Sequence, residues 1–140
     1  MDSLERRGCL GIVLELLGIT PKPAAATLPY KRKEWLLSKA ERSFFGVLQG
    51  VLASEQLIFV KVRLADLIYI PRGTPSRQAA FNRIQSKHID FVLCEKSSVR
   101  PLLAIELDDS SHARSDRSAR DRFVDSALDV AGLPLLVSRS

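Results

Sequence analysis

The chain has 140 residues, 46% apolar and 26% charged, which is the composition of an ordinary globular domain and argues against a disordered or fibrous protein. Its two cysteines, Cys9 and Cys94, lie far apart and outside any CxxC or Cys/His spacing, so neither a disulfide framework nor a zinc site is expected, and the expected location is the reducing cytoplasm. Residues 61–100 hold eight Lys/Arg against three Asp/Glu, an excess that suits either a polyanion-binding surface or a solvated surface without a partner.

The first 34 residues form a segment distinct from the rest. Residues 9–19 are apolar apart from Glu15 and two glycines, and they are fewer than the roughly 20 residues needed to cross a membrane. We expect a short amphipathic helix here, with membrane association or a signal-peptide core as the less favoured alternatives. The Pro- and Ala-rich residues 20–29 then form a linker that leads into a domain at residues 35–140.

Residues 35–140 predict a mixed α/β sandwich with a crossover at its end. The apolar face of the first helix has helical spacing, and Ser38 with Glu41 three residues later is the capping-box signature of a helix start. The later strands are short and almost continuously apolar, as strands covered on both faces are. In chain order the pattern gives a helix at 38–54, a β-rich stretch at 57–62 that continues in the same style over 64–70, one or two helical turns at 78–85, strands at 89–94 and 102–107, a helix at 116–131 and a strand at 133–137.

Three carboxylates stand at the ends of two neighbouring strands. Asp90 opens one strand, while Glu106 and Asp108 close the next and, being two residues apart, project from the same face. If the strands are hairpin partners, Asp90 approaches the other two at one rim of the sheet. Converging carboxylates repel one another unless a cation lies among them, and oxygen ligands suit Mg²⁺ or Mn²⁺. The alternative is a set of strand-end acids that face water or pair with arginines.

Further candidate residues flank this trio. His112 lies in a loop directly after the acids, where it could position a water, protonate a leaving group or contact a phosphate. Arg117 and Arg120 lie near the start of the following helix and could bind phosphate, or they could belong to an intrahelical ion-pair network. Glu41 could complete the metal site or serve only as the capping-box acid.

The basic middle segment supplies the predicted nucleic-acid contacts. These are Arg72, Arg77, Arg83 and Lys87, joined by the two arginines of the last helix. They would act mainly by neutralising phosphates, which carries most of the affinity in such interfaces.

Several stretches match a known pattern. They are LLSKAERSFF at 36–45, KHIDFVL at 87–93, AIELDDSSH at 104–112, RD at 120–121 and AGLPLL at 131–136. An acid on one strand, then Glu-x-acid on its neighbour, then a helix and a strand, resembles the PD-(D/E)XK nuclease superfamily. The details are closest to the domain of unknown function 2726 (DUF2726) family and to the very-short-patch-repair endonuclease branch near it. The resemblance covers roughly residues 35–140.

The resemblance implies a restriction-endonuclease-like three-layer α/β/α sandwich with a small mixed central sheet. By position, Asp90 would be the metal-binding aspartate and Glu106 the acid of the second motif. Glu41 would be the helix-borne acid, and His112 is similar to the histidine that follows the second motif in the repair branch. The departure is Asp108, which stands where the superfamily usually has a lysine. Either Asp108 adds a metal ligand, while His112 or an arginine supplies the missing charge, or the domain binds nucleic acid without cutting it.

Two hypotheses concern nucleic acid, and a third is a protein-interaction domain tethered through its N-terminal helix. The first is a Mg²⁺- or Mn²⁺-dependent nuclease that hydrolyses phosphodiester bonds in DNA, with Asp90, Glu106 and Asp108 on the metal. The second is a catalytically inactive nucleic-acid-binding module of the same fold.

Overall fold

The computed structural model describes residues 16–18, 28–108 and 114–139, with the backbone alone for residues 114–121 and 139. The chain divides into two units, Met1–Glu34 and Trp35–Ser140. All the helices and strands discussed below belong to the second unit. Among the described residues, none of the helices is both long and apolar enough to span a membrane.

The order of helices and strands in the second unit agrees with the prediction except at residues 64–70, where a short helix replaces the predicted strand. The elements are α1 Lys39–Val51, β1 Gln56–Arg63, α2 Leu64–Leu67, α3 Arg77–Ile84, β2 His88–Glu95, β3 Pro101–Asp108, α4 Arg114–Ala131 and β4 Leu135–Arg139. The predicted capping box at the start of α1 is confirmed, because Ser38 Oγ accepts the Glu41 N–H at 3.2 Å and Glu41 Oε2 accepts the Ser38 N–H at 2.6 Å. Gly132 ends α4 with a positive φ of 76°, a conformation that glycine adopts without steric cost.

The strands form one mixed four-stranded sheet in the order β1-β2-β3-β4. β1 pairs with β2 and β2 pairs with β3 in antiparallel fashion, so the first three strands form an antiparallel meander. β4 pairs parallel to β3, which requires a crossover connection, and α4 supplies it. The mixed α/β character and the crossover at the end of the chain are therefore confirmed.

Helices cover both faces of the sheet. Along β2, successive side chains alternate between two buried clusters, with Val92 and Cys94 in one and Phe91 and Leu93 in the other. The first cluster is completed by buried residues of α2, α3 and α4, namely Leu64, Ile84, Val124 and Leu128. The second is covered by α1 through Leu48, Phe44 and Phe45. The layers are thus helix, sheet and helix.

The prediction of a strand over residues 64–70 is wrong. The chain forms the short helix α2 there and then runs on outside the sheet to Pro71. The side chains of Leu64, Leu67 and Ile68 all pack in or against one core cluster, which is the i, i+3, i+4 spacing of a helix. The Arg63–Asp66 ion pair has the same three-residue spacing. The helical period was hidden in a stretch that is only four residues long.

Candidate functional site

The start of β2 meets the end of β3, as the hairpin geometry leads one to expect. Phe91 faces Ile105 in the antiparallel register, which puts Asp90 beside the end of β3. There the Leu107 backbone N–H donates to Asp90 Oδ2 at 3.0 Å. Because Leu107 is the residue between Glu106 and Asp108, the Asp90 carboxylate is fixed against the segment that carries the other two acids. The Asp90 side chain is 22% exposed, so it is accessible from solvent.

Glu106 and Asp108 lie two positions apart on β3 and face β4 residues Val137 and Arg139 in the parallel register. Glu106 is half-buried and Asp108 is exposed. Within the described ranges, no group of three or more acidic, histidine or cysteine side chains is arranged to hold a metal ion. The three-carboxylate metal site therefore stays a prediction.

A lysine that the sequence reasoning missed links two of the predicted acids. The Lys61 ammonium of β1 donates a short hydrogen bond to Glu41 Oε1 of α1, and its Nζ lies 3.7 Å from Asp90 Oδ1. The structure thus brings Glu41 and Asp90 together through a shared cation. We name these three residues the Glu41–Lys61–Asp90 cluster. The signal that could have revealed Lys61 is its position as the charged residue inside an otherwise apolar strand, QLIFVKVR.

The backbone of Lys61 is unusual for a strand. Its φ is +54°, in the left-handed region that side-chain-bearing residues rarely adopt. Residues on either side pack on opposite faces of the sheet, since Val60 lies against the α1 core cluster and Val62 against the other one. On a regular strand, residues two positions apart, such as Val60 and Val62, lie on the same face of the sheet. The left-handed residue therefore breaks the strand alternation at the point where β1 passes Asp90.

Glu41 is held in its ionised form. Burial alone raises the pKa of this carboxyl, but the hydrogen bonds from Lys61 and the Ser38 N–H, together with the Lys61 charge, outweigh burial and hold the pKa below its usual range. The Glu41 side chain is 13% exposed, while that of Lys61 is 36% exposed. The cluster is thus anchored on its buried side by Glu41 and opens to solvent on the side of Lys61 and Asp90.

Two of the predicted nucleic-acid-binding residues lie together. The Cζ atom of Arg83 is 4.1 Å and the Nζ atom of Lys87 is 5.2 Å from the ring centroid of Phe123 on α4. Lys87 directly precedes β2, so this pair lies at the same end of the strand as Asp90. Arg72 and Arg77 are exposed, and Arg77 Nε donates to the Ile70 carbonyl at 3.4 Å.

The other predicted site residues have no described side chains. His112 lies outside the described residues, and Arg117 and Arg120 lie on α4 where the backbone alone is described. Their suggested roles at a phosphate stay predictions.

Comparison with known proteins gives one match. A family model described as "Protein of unknown function (DUF2726)" matches residues 33–140, which is most of the chain. No curated protein and no solved structure matches it.

Proposed function

The chain belongs to the DUF2726 family, and we propose that it is a Mg²⁺- or Mn²⁺-dependent nuclease that hydrolyses phosphodiester bonds in DNA on a restriction-endonuclease-like fold. The observation that carries the proposal is the fixing of the Asp90 carboxylate, by the Leu107 N–H, against the strand end that bears Glu106 and Asp108. The α/β/α layers and the crossover into a parallel last strand are compatible with that fold.

The residues present suit a hard divalent cation in their chemistry. Every candidate ligand offers carboxylate oxygen, the type of donor that Mg²⁺ and Mn²⁺ prefer. The Lys61 ammonium against Glu41 and Asp90 indicates that this location attracts positive charge. Asp90, Glu106 and Asp108 would hold the ion, with Glu41 assisting. When bound, the ion supplies Lewis acidity toward the phosphodiester and lowers the pKa of an attacking water.

The protein's own residues prepare the rest of the site. Ser38 and Lys61 fix the two oxygens of Glu41, so this carboxylate keeps one orientation without reorganising when substrate arrives. The Leu107 N–H does the same for Asp90. Arg83 and Lys87, stacked on Phe123, place two positive charges close to the start of β2, where they can neutralise phosphates of a bound strand. His112, which follows β3 in the sequence, is proposed to contact the scissile phosphate or its water.

The second candidate is a nucleic-acid-binding module without catalysis. The observation that favours it is that Lys61 already pairs with both Glu41 and Asp90 and compensates part of their negative charge, so these residues can serve as a structural ion-pair network. This candidate predicts binding that weakens steeply with salt and requires no divalent ion.

A cleavage assay separates the two. Plasmid, linear double-stranded DNA, single-stranded DNA and RNA are incubated with the full chain in Mg²⁺, in Mn²⁺ and in EDTA. We expect metal-dependent cleavage of DNA, and we expect Asp90→Asn to lower the cleavage rate at least roughly 100-fold. Substituting even a residue that only contacts a metal ligand commonly lowers metal affinity or activity by about 10–100-fold.

The matched control is Asp66→Asn, which removes an exposed acid that pairs with Arg63 rather than with the cluster. This variant is expected to cleave like wild type. Salt-sensitive binding with every substrate left intact, in either metal, supports the second candidate and rejects the first.

A further inference from the structure

Lys61 makes two contacts of different strength. Its ammonium is hydrogen-bonded to Glu41 Oε1, whereas the contact to Asp90 Oδ1 is an ion pair at 3.7 Å, beyond ordinary hydrogen-bond length. Asp90 Oδ2 is meanwhile occupied by the Leu107 N–H. The oxygen of Asp90 that faces Lys61 is therefore held by the weaker of the two Lys61 contacts.

The backbone points to a role for this side chain. A lysine at φ +54° within a strand is strained, whereas a glycine would adopt the conformation freely. Strain of this kind is found preferentially where the geometry serves a function. The result here is a cation aimed at two carboxylates that belong to different elements, α1 and β2.

We propose that the Lys61 ammonium competes with divalent cations for binding to the Asp90 carboxylate. In the absence of a divalent ion, its single positive charge compensates one of the two negative charges of Glu41 and Asp90, and Mg²⁺ or Mn²⁺ must displace it to bind Asp90. Lys61 stays on Glu41 in the metal-bound state, because that contact is the tighter one. The inference rests on the proposed function only in that Asp90 is taken to bind a divalent ion.

The consequence is a metal affinity that Lys61 sets. Two positive groups compete for one oxygen and also repel each other at short range, and both effects weaken metal binding. Removing the ammonium while leaving both carboxylates in place should therefore tighten metal binding. A lysine that only fastened α1 to the sheet would have the opposite effect, since its loss would loosen Glu41.

The test measures Mn²⁺ binding to the full chain by isothermal titration calorimetry and by the electron paramagnetic resonance signal of free Mn²⁺, so that no substrate is required. Lys61→Met is expected to bind Mn²⁺ roughly ten-fold more tightly than wild type, and Lys61→Arg, which keeps the charge, within about three-fold of it. Lys61→Gly guards against misfolding, because glycine accepts the left-handed backbone, and it should tighten binding as Met does.

Two further variants fix the interpretation. Arg63→Met removes one positive charge from the same strand but from an ion pair with Asp66, and it should leave Mn²⁺ affinity within about two-fold. Glu41→Gln deprives Lys61 of its stronger partner and leaves it to Asp90, so it should weaken Mn²⁺ binding. Equal tightening of Mn²⁺ binding in Lys61→Met and Arg63→Met, or no tightening in Lys61→Met and Lys61→Gly, overturns the proposal.

The results distinguish failure of the Lys61 proposal from failure of the proposed nuclease function. If the protein binds Mn²⁺ more tightly without Lys61 but cuts no nucleic acid, the proposed nuclease function is refuted and the proposed competition between Lys61 and the cation is supported. If the protein is a metal-dependent nuclease but Lys61→Met and Lys61→Gly bind Mn²⁺ no more tightly than wild type, only the proposed competition by Lys61 is refuted. If wild type, Lys61→Met and Lys61→Gly all fail to bind Mn²⁺ at millimolar concentration, both proposals are refuted.

Discussion

Replacing Glu41 by glutamine isolates the charge that Glu41 contributes to the Glu41–Lys61–Asp90 cluster. Glutamine serves as well as glutamate at the third position of a capping box, so it can still accept the Ser38 N–H that Glu41 Oε2 accepts at 2.6 Å. What disappears is the negative charge opposite Lys61. The substitution therefore tests the ion pair with little effect on the start of α1.

The size of the effect follows from burial. Exposed ion pairs contribute about 0–1 kcal/mol, and breaking a buried one costs about 3–5 kcal/mol. With Glu41 13% exposed and Lys61 36% exposed, the pair lies between these limits. We expect Glu41→Gln to lower the free energy of unfolding at pH 7 by about 1–2 kcal/mol, which for a domain of about 100 residues lowers Tm by roughly 4–9 °C.

The effect must also depend on pH in one direction. Because folding lowers the pKa of Glu41 below its ordinary value of 4.5, the ionised carboxylate stabilises the folded state. This stabilisation is fully present above pH 4.5 and is lost as the pH falls through the lowered pKa of the folded state. Wild type and Glu41→Gln should therefore differ at pH 7 and converge as the pH falls below about 4.

The assay is urea denaturation followed by circular dichroism at pH 7, 5 and 3.5, with Asp66→Asn as the control for an exposed ion pair that should change stability little at pH 7. Equal stability of wild type and Glu41→Gln at pH 7 would refute the reasoning. So would a difference that stays the same from pH 7 to pH 3.5, because its source could not then be the Glu41 charge.

Three further predictions concern the core and the basic surface. Phe91 is fully buried and packs against two rings of α1, so Phe91→Ala should lower the free energy of unfolding by about 3–5 kcal/mol in urea denaturation, and a loss below about 1 kcal/mol would contradict the described core. Cys94 is buried, and burial raises the pKa of its thiol. In a Cys9→Ser background, Ellman's reagent should therefore label Cys94 only as fast as the protein unfolds. Rapid labelling of the native protein would argue against this burial. Replacing Arg83 and Lys87 by alanine should weaken DNA binding and reduce the slope of log K against log salt by about 1–2, and an unchanged slope would remove these residues from the interface.

The parts of the fold that the sequence predicts well are those with a local cause. The capping box at Ser38 and Glu41 is present as expected, because both hydrogen bonds form between residues only three positions apart. The order of strands follows from apolar runs bounded by polar connections. The short helix Leu64–Leu67 was not predicted, because four residues are too few to tell a helical period from a strand-like composition.

The candidate site also has one feature that the sequence predicts and one that it does not. The approach of Asp90 to the end of β3 is predictable, since β2 and β3 are joined by a short connection and must pair. The role of Lys61 is not, because it depends on the register of β1 against β2 across residues 64–87 and on a left-handed backbone at one residue. Neither property has a local sequence signal.

The central claim is that Asp90 holds a divalent cation at the meeting point of β2 and β3. The most direct test is anomalous diffraction from crystals of the protein soaked in Mn²⁺. We expect an anomalous peak about 2.0–2.6 Å from a carboxylate oxygen of Asp90, with Glu106 or Asp108 as a further ligand and Lys61 withdrawn from Asp90. A map with no peak at Asp90, and with Lys61 still between Glu41 and Asp90 at saturating Mn²⁺, would contradict it.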